Sequence, residues 1–278
     1  MTLPSTKAPT DSVATRNGDH PIRARPAGFI ADTASIAGRA VRAVPREPEA
    51  FIPALVVPIF FFIVNVGSLD RVTDTLPGFD FKAFYLPVGF VFAVTGVSRA
   101  SALVTDIQSG YLDRLLVTPI HRLSLLLGLM VADIALVTAL TIPVLLLGLA
   151  LGVRFETGFI GAVGVVLLSG LWGLAFTGFP YAIALKTGNP AAVNSSFILF
   201  FPFAFLTTAF VPKEALEGWL ATVSTYNPVT YLLAGQRALV SDGWAWTTIG
   251  GALLAVVGVG VVSMTLAFLA LRGRVARG

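Results

Sequence analysis

The 278-residue sequence lacks cysteine, has only two histidines and contains few charged residues. The absence of cysteine excludes disulfides, thiolate metal sites and a cysteine nucleophile, and it leaves the redox compartment open. A histidine-based metal site is not expected either, because His20 and His121 are the only histidines. Charged residues make up 12% of the chain, which is about half their share in a soluble domain. Water is therefore not expected to be the main solvent of this protein.

Apolar residues dominate instead, at 55% of the chain, with a mean hydropathy of +0.83. Six apolar segments are each long enough to cross a hydrocarbon core of ~30 Å at 1.5 Å per residue. Within lipid, a helix satisfies every backbone amide. The sequence therefore predicts an all-α polytopic membrane protein with six transmembrane helices. We place these helices at 51–69, 83–104, 123–152, 158–185, 193–211 and 247–271.

The segments before the first span differ in character. Residues 1–26 are rich in Pro, Thr and Ser, which predicts a disordered cytoplasmic tail, and no signal peptide is expected ahead of the first apolar run. Residues 27–48 are predicted to form an amphipathic interfacial helix, and 49–278 the six-span permease domain. Packing on a soluble partner is the alternative for this helix. Its predicted apolar face comprises Phe29, Ile36, Ala37, Ala40, Val41 and Val44, opposite Asp32, Ser35, Arg39, Arg42 and Arg46.

Basic residues in the loops predict the orientation, because cytoplasmic loops of membrane proteins carry an excess of Lys and Arg. With both termini in the cytoplasm, most of the 19 basic residues fall on the inside. Only Arg71, Lys82, Arg154, Lys213 and Arg237 then lie outside. The same scatter along the chain gives no basic stripe, so no nucleic-acid partner is expected.

A charged segment follows the second predicted span and has a helical pattern of its own. Leu112, Leu115 and Leu116 share one face, and Thr118-Pro119 ends the pattern because the residue before proline avoids the α conformation. The pattern predicts a short helix parallel to the membrane. An ordinary cytoplasmic connector remains the alternative.

Two blocks of this sequence carry motifs. The first comprises Asp106, Gly110, Asp113, Arg114, Leu115, Leu116, Thr118 and Pro119. The second comprises Pro212, Trp219, Asn227-Pro228-Val229-Thr230-Tyr231 and Gln236-Arg237-Ala238-Leu239. In this order, the two blocks resemble motifs of the type 2 ATP-binding-cassette exporter permeases, most closely those of the daunorubicin-resistance type for drugs and lipids, with Asp in the first block where Glu is commoner. The resemblance covers roughly residues 28–275.

The resemblance implies a permease subunit of an ATP-driven exporter in a bacterial plasma membrane, moving a drug, lipid or polyketide outward. Residues 106–119 would include the coupling helix that binds the partner ATPase, with Leu112 among the contacts and the amphipathic helix alongside. Two ATPase copies and a second permease copy or a homologous permease are implied as partners, within membrane lipids. The chain has no phosphate-binding loop, since Lys186-Thr187 lacks the glycine-rich turn before it. No cofactor is therefore expected on this chain, and ATP and Mg would bind the ATPase, so this subunit is not itself expected to be an enzyme.

Residues 212–246 mix apolar and polar side chains in two short helical patterns, each too short to cross a membrane. Re-entrant external helices between spans five and six are predicted. By resemblance they would line an external gate, and a cap on the lipid surface without a gating role is the alternative. The gate candidates are Trp219, Asn227, Pro228, Tyr231 and Arg237.

Asp133 is the one acidic residue well inside a predicted span. An ionised carboxylate there is costly unless it is paired, so it is expected to face the bundle or a wet cavity. Arg99 is its candidate partner, and Asn65 and Tyr181 are weaker polar candidates. A structural pair and a substrate-cavity or proton-linked role are both open.

Two other classes of function compete with ATP-driven export. An ion-coupled secondary transporter would use Asp133 and is expected to show inverted repeats and discontinuous helices, but the two halves of the sequence do not match convincingly. A membrane enzyme would need converging His, Asp, Glu or Ser side chains at one depth, a pattern that the sequence does not show. The cargo and the choice between homodimer and heterodimer cannot be read from the residues.

Overall fold

The structure is a computed structural model that describes residues 28–43, 48–73, 79–95, 97–111, 114, 122–198 and 200–276. Within these residues the regular elements are helical. The helices are α1 (Phe29–Ala43), α2 (Pro48–Thr73), α3 (Phe81–Thr95), α4 (Ala100–Gln108), α5 (Arg122–Ala150), α6 (Gly158–Thr187), α7 (Pro190–Ile198), α8 (Phe200–Phe205), α9 (Gly218–Tyr226), α10 (Pro228–Arg237) and α11 (Trp246–Val275). A 3-10 turn at Lys213–Ala215 and a π-helical segment at Ala238–Asp242 complete the described elements. The predicted tail, 1–26, lies outside the described residues.

Among the described residues, four helical stretches are long and apolar enough to cross a membrane. They are Phe81–Gln108, Leu126–Ala150, Gly158–Thr187 and Trp246–Arg274. At the first and fifth predicted spans, the apolar stretches within those residues are Ile52–Ser68, which lies inside α2, and Pro190–Phe205. The helical class and the membrane-embedded character are thus confirmed, whereas the count of six crossings stays a prediction.

The second predicted span, 83–104, is not one continuous helix. Helix α3 ends at Thr95 and α4 begins at Ala100. The first backbone amides of a helix have no partner within that helix, so α4 needs acceptors from elsewhere at its start. Ser98 supplies one, because its hydroxyl oxygen accepts from the Ala100 amide at 3.2 Å.

Helix α1 packs along the first turns of α5. The Ser124 hydroxyl donates to the Phe29 carbonyl at 3.3 Å. Further along both helices, a Cβ at Gly128 would lie 2.6 Å from the Ile36 side chain. Since this approach is so close, the turn of α1 that carries Ile36 must face α5.

That packing corrects the predicted faces of α1. Asp32 was expected on the polar face but is buried. Positions 32, 37 and 40 are buried, and Ile36 is partly buried where Gly128 admits its side chain. Val41 is exposed, as an apolar residue that faces lipid would be. Asp32 also lies in the first turn of α1, where the helix dipole favours a negative charge.

Helices α6 and α11 run in the same direction and pack together over the longest stretch of any helix pair in the described part of the bundle. A Cβ at Gly178 would lie 2.5 Å from the backbone of Ser263, and the Ser263 hydroxyl donates to the Ala175 carbonyl. Both helices finish at one end of the bundle, which we call the Lys186 end. Helix α5 finishes at the other, which we call the Arg154 end.

Candidate coupling surface and buried polar cluster

The first motif begins on the last turn of α4, at the Lys186 end. Asp106 accepts a hydrogen bond from the Arg39 guanidinium of α1 at 3.1 Å, and this contact is also an ion pair. The same guanidinium lies 4.8 Å from the centre of the Tyr111 ring. The Gln108 side chain donates to the Gly188 carbonyl at 3.1 Å. The end of α4 is therefore fastened both to α1 and to the end of α6.

Gly110 turns the chain away from α4. Its φ of +69° lies in the left-handed region that favours glycine. Arg114 is exposed, and its amide donates to the Gly110 carbonyl at 3.2 Å, the spacing of one helical turn. The other residues assigned to the coupling helix lie outside the described residues, namely Leu112, Asp113, Leu115, Thr118 and Pro119.

Asp133 lies at the opposite end of α4. Its side chain is fully buried on α5. One carboxylate oxygen accepts from the backbone amide of Arg99, directly before α4, at 2.8 Å. The other oxygen accepts from the Tyr181 hydroxyl of α6 at 2.6 Å. We call Asp133, Arg99 and Tyr181 the polar cluster, and it joins the break in the second span to α5 and α6.

The chemistry of the polar cluster matches the break in the helix. A buried carboxylate is tolerated when hydrogen bonds replace its lost water, and a free amide at a helix start needs an acceptor. Asp133 meets both needs at once. The Arg99 side chain is also buried and its positive charge acts favourably on Asp133. Asn65 does not join them, because its amide donates to the Phe61 carbonyl within α2 at 2.8 Å.

Helix α4 connects two sites: the ion pair of Asp106 with Arg39 at one end and the polar cluster at the other. It has nine residues, so its two ends lie about 13 Å apart at 1.5 Å per residue. Ala100, Leu103 and Val104 are buried within it, and it packs on α6. The exposed end of α4 and the polar cluster therefore lie at the two ends of one short helix.

Two further polar contacts between helices escape sequence reasoning. The Trp172 ring nitrogen of α6 donates to the Thr95 hydroxyl of α3 at 2.9 Å. The Gln236 amide of α10 donates to the Ser169 hydroxyl of α6 at 2.9 Å. Each contact depends on how the helices are rotated. In helices that are apolar on nearly every side, that rotation leaves no periodic signal.

Asn227 fastens α10 to α8. Its side-chain oxygen caps α10 by accepting from the Val229 amide at 3.0 Å, and Pro228 occupies the first turn. Its side-chain nitrogen donates to the carbonyls of Phe203 at 2.6 Å and Leu206 at 2.9 Å. Those two carbonyls lie where α8 ends, so one side chain satisfies two helix termini.

Arg237 lies at the end of α10 and binds two parts of the Arg154 end, α3 and the segment after α8. Its guanidinium donates to the Phe84 carbonyl at 3.0 Å and to the Thr208 carbonyl at 2.8 Å. It also lies 3.6 Å from the centre of the Phe84 ring. Burial lowers the pKa of Arg237 to about 9, so the group stays charged at neutral pH. The remaining gate candidates point outward, with Trp219 69% and Tyr231 43% exposed.

In the part of the chain that the structure describes, no group of three or more His, Asp or Glu side chains could hold a metal ion. Asp133 and Arg237 each bind backbone groups of other segments, Asp133 the Arg99 amide and Arg237 the Phe84 carbonyl. Their arrangement holds helices together.

Comparison with known proteins places the chain in a family. Residues 32–240 match the ABC-2 type transporter family. The daunorubicin resistance ABC transporter permease protein DrrB1 of Streptomyces coeruleorubidus is 26% identical over 254 residues, covering 89% of this chain and 86% of the relative.

Two further relatives agree. The probable doxorubicin resistance ABC transporter permease protein DrrC of Mycobacterium tuberculosis is 27% identical over 238 residues, covering 84% of this chain and 86% of its own. The putative transport permease ycf38 of Cyanophora paradoxa is 24% identical over 229 residues, covering 79% and 78%. The family match spans more than half of the chain and contains both motifs. This membrane-embedded chain therefore belongs to the ABC-2 type transporter family.

Proposed function

We propose that this chain is the transmembrane permease subunit of an ATP-driven exporter that moves a hydrophobic or amphipathic drug, lipid or polyketide outward across a bacterial plasma membrane. The observation that carries the proposal is the course of α4. One end of α4 is exposed beside Asp106 and Gly110, and the other is bonded to buried Asp133. A stiff helix held in this way transmits a rigid-body movement that a flexible loop would absorb.

The ATPase contact is proposed at the Lys186 end, on the segment that follows α4. Asp106, Gly110 and Arg114 lie there with Tyr111 and Arg39 beside them. The other proposed contacts are Leu112, Asp113, Leu115, Thr118 and Pro119. Two copies of a separate ATPase, which bring ATP and Mg, would bind a pair of permease chains. This chain then supplies transport and no hydrolysis of its own.

The proposed topology has six crossings with both termini in the cytoplasm. The Lys186 end then faces the cytoplasm and the Arg154 end faces outward. The short helices α9 and α10 are proposed to be re-entrant. The bonds from Asn227 to the end of α8 support this, because they tie the start of α10 to a helix inside the bundle. Trp219, Pro228, Tyr231 and Arg237 would border the external gate.

A hydrophobic cargo is supported by the relatives. Two of them are named for resistance to daunorubicin and doxorubicin, so daunorubicin is a suitable first cargo to test. An aromatic groove lies beside α3, between α2 and α8, but its volume of about 30 Å³ is that of a single water molecule, so it does not hold such a cargo in this structure. The residues lining this groove are Val57, Pro58, Phe61, Tyr85, Val88, Gly89, Phe92, Phe201, Phe205 and Phe210.

The topology can be tested by thiol labelling, because the chain has no cysteine of its own. A membrane-impermeant maleimide should label Lys213→Cys in intact cells, whereas Lys186→Cys should react only after permeabilisation. The reverse pattern contradicts the orientation. Transport can be tested in inside-out vesicles that contain the chain and its ATPase. ATP should drive daunorubicin into the vesicles, and no ATP-dependent uptake of any cargo class would contradict the function.

An ion-coupled transporter remains the second candidate, because the break before α4 is the discontinuous helix that such transporters use. However, Asp133 already accepts from Arg99 and Tyr181, which favours a structural role. The same vesicles separate the two classes. Uptake without ATP but with an imposed proton or sodium gradient would favour ion coupling, and uptake that survives gradient collapse would favour ATP.

A further inference from the structure

A lateral groove of about 630 Å³ opens between α6, α7, α8 and α11, and its lining shares no residue with the polar cluster or with the aromatic groove beside α3. This volume falls within the range of small-molecule pockets. Most of its lining is apolar. The lining residues are Phe176, Phe179, Ala182, Ile183, Lys186, Thr187, Ser196, Phe203, Leu266, Leu269, Ala270 and Gly273.

The groove has charge at one end only. Lys186 lies in the last turn of α6 and is exposed, and Thr187 follows it. On the facing wall, Gly273 of α11 lies between two basic residues of the last turn, Arg272 and Arg274. No acidic residue is among the lining residues. The Lys186 end of the groove is therefore positive, while the rest resembles the hydrocarbon core of a bilayer.

We propose that this groove is a binding site for an anionic glycerophospholipid. An acyl chain lies between Phe179 of α6 and Leu266 and Leu269 of α11, and the headgroup phosphate binds Lys186. Basic pockets between transmembrane helices bind acidic lipid headgroups in this way. A long flexible ammonium side chain at a helix end reaches the level of the headgroups while its stem covers apolar surface.

The distribution of polarity selects this occupant. A free phosphate ion would bind Lys186 but leave the apolar part of the groove to be filled by other hydrocarbon. A neutral lipid would fill the apolar part without using the charge. Leu266 and Leu269 are 44% and 57% exposed, so the groove wall is open to the bilayer at the depth of the acyl chains. An anionic lipid satisfies both parts at once.

The site does not depend on transport. It rests on the proposed orientation only for the choice of leaflet, since the Lys186 end is assigned to the cytoplasmic side. A chain that failed every ATP-driven transport assay would keep the same groove. Failure of this inference and failure of the proposed function are therefore distinguishable.

Native mass spectrometry of the full chain from nanodiscs tests the inference. The nanodiscs contain equal amounts of phosphatidylglycerol and phosphatidylcholine with identical acyl chains. The wild-type chain should retain phosphatidylglycerol in preference to phosphatidylcholine. Lys186→Gln should reduce this preference about fivefold, and Lys186→Arg should preserve it. Lys213→Gln is the matched control, because Lys213 is also exposed but lies at the Arg154 end, and it should retain the wild-type preference.

A second pair of variants tests the apolar part of the groove. Leu266→Trp fills the groove and should reduce retention of both lipids. Leu253→Trp is its control, because Leu253 is on the same helix with a similar exposure of 42% but does not line the groove. The inference is overturned if Lys186→Gln keeps the wild-type preference, or if Leu266→Trp retains as much lipid as Leu253→Trp. The inference is also overturned if Leu266→Trp stops two permease chains from associating but keeps its lipid, because the groove would then bind a second copy of the chain.

Discussion

The carboxylate of Asp133 and the backbone amide of Arg99 lie 2.8 Å apart, at the point where α3 has ended and α4 has not yet begun. Asp133 thus acts as a helix cap supplied by a different helix. Since a side chain of α5 completes the start of α4, these two helices cannot separate without exposing both a buried carboxylate and a free amide. The break is therefore a fixed joint within the described bundle.

Removing the second hydrogen bond of that carboxylate should weaken the bundle. Tyr181→Phe deletes the hydroxyl that donates to Asp133 at 2.6 Å and leaves a buried acceptor with one partner fewer. We expect the free energy of unfolding to fall by about 1–3 kcal/mol. Denaturant unfolding in detergent micelles measures the change. Tyr226→Phe is the control, because Tyr226 is 83% exposed, and equal stability of the two variants would argue against the joint.

The crossing of α6 and α11 should not tolerate an added methyl group. In Gly178→Ala the new Cβ would lie 2.5 Å from the backbone of Ser263, which cannot rotate away. Overpacking of this kind costs about 1–3 kcal/mol. Gly258→Ala on α11 is the matched control, since nothing lies within 4 Å of its Cβ, and it should be neutral or slightly stabilising. Thermal unfolding that ranks Gly178→Ala at or above the control would contradict the close crossing.

The ion pair between Arg39 and Asp106 should matter more for coupling than for stability. Both side chains are partly exposed, at 46% and 21%, and such pairs contribute less than about 1 kcal/mol. Arg39→Asp should leave unfolding almost unchanged but lower ATP-driven transport, because α1 no longer holds the end of α4. Arg39→Lys keeps a positive charge beside Asp106 and leaves the proposed ATPase contact unchanged, so it should retain transport. An Arg39→Lys variant as inactive as Arg39→Asp would argue against the ion pair as the reason.

Loss of Asn227 should release α10 from α8. Asn227→Ala removes the cap on Val229 and both bonds to the end of α8. We expect a loss of about 1–3 kcal/mol together with faster proteolysis of the loop before α9. Asn194→Ala removes an exposed asparagine with one long contact of 3.4 Å to Ser101 and serves as the control. Unchanged protease resistance in Asn227→Ala would show that other contacts hold α10.

Sequence reasoning recovered the helical class, the family and the association of Asp133 with Arg99. It reached that pair because a lone carboxylate inside an apolar run demands a partner. It did not anticipate that Arg99 would bond through its backbone amide, since the sequence predicted one uninterrupted helix over 83–104. The break depends on an acceptor 34 residues away, which no local pattern contains.

The end of the fifth predicted span is also set by a contact that the local sequence does not contain. Apolar residues continue to position 211, yet α8 ends at Phe205. The end is possible because Asn227 satisfies the carbonyls of Phe203 and Leu206. Likewise, Asp32 was placed on the wrong face of α1, because the position of Gly128 on a different helix determines which side is buried. Contacts between distant segments set both details.

Coupling efficiency in the assembled complex, expressed as cargo moved per ATP hydrolysed, tests the central role of α4 most directly. Ala102→Gly with Thr105→Gly softens the helix, since each glycine costs about 1 kcal/mol in a helix interior, and neither residue is fully buried. Thr105→Ala keeps the helix stiff and is the control. If α4 transmits the movement, the double glycine variant should still bind the ATPase but move about tenfold less cargo per ATP, while Thr105→Ala stays at the wild-type ratio. A double glycine variant with the wild-type ratio would contradict the role of α4 as the link.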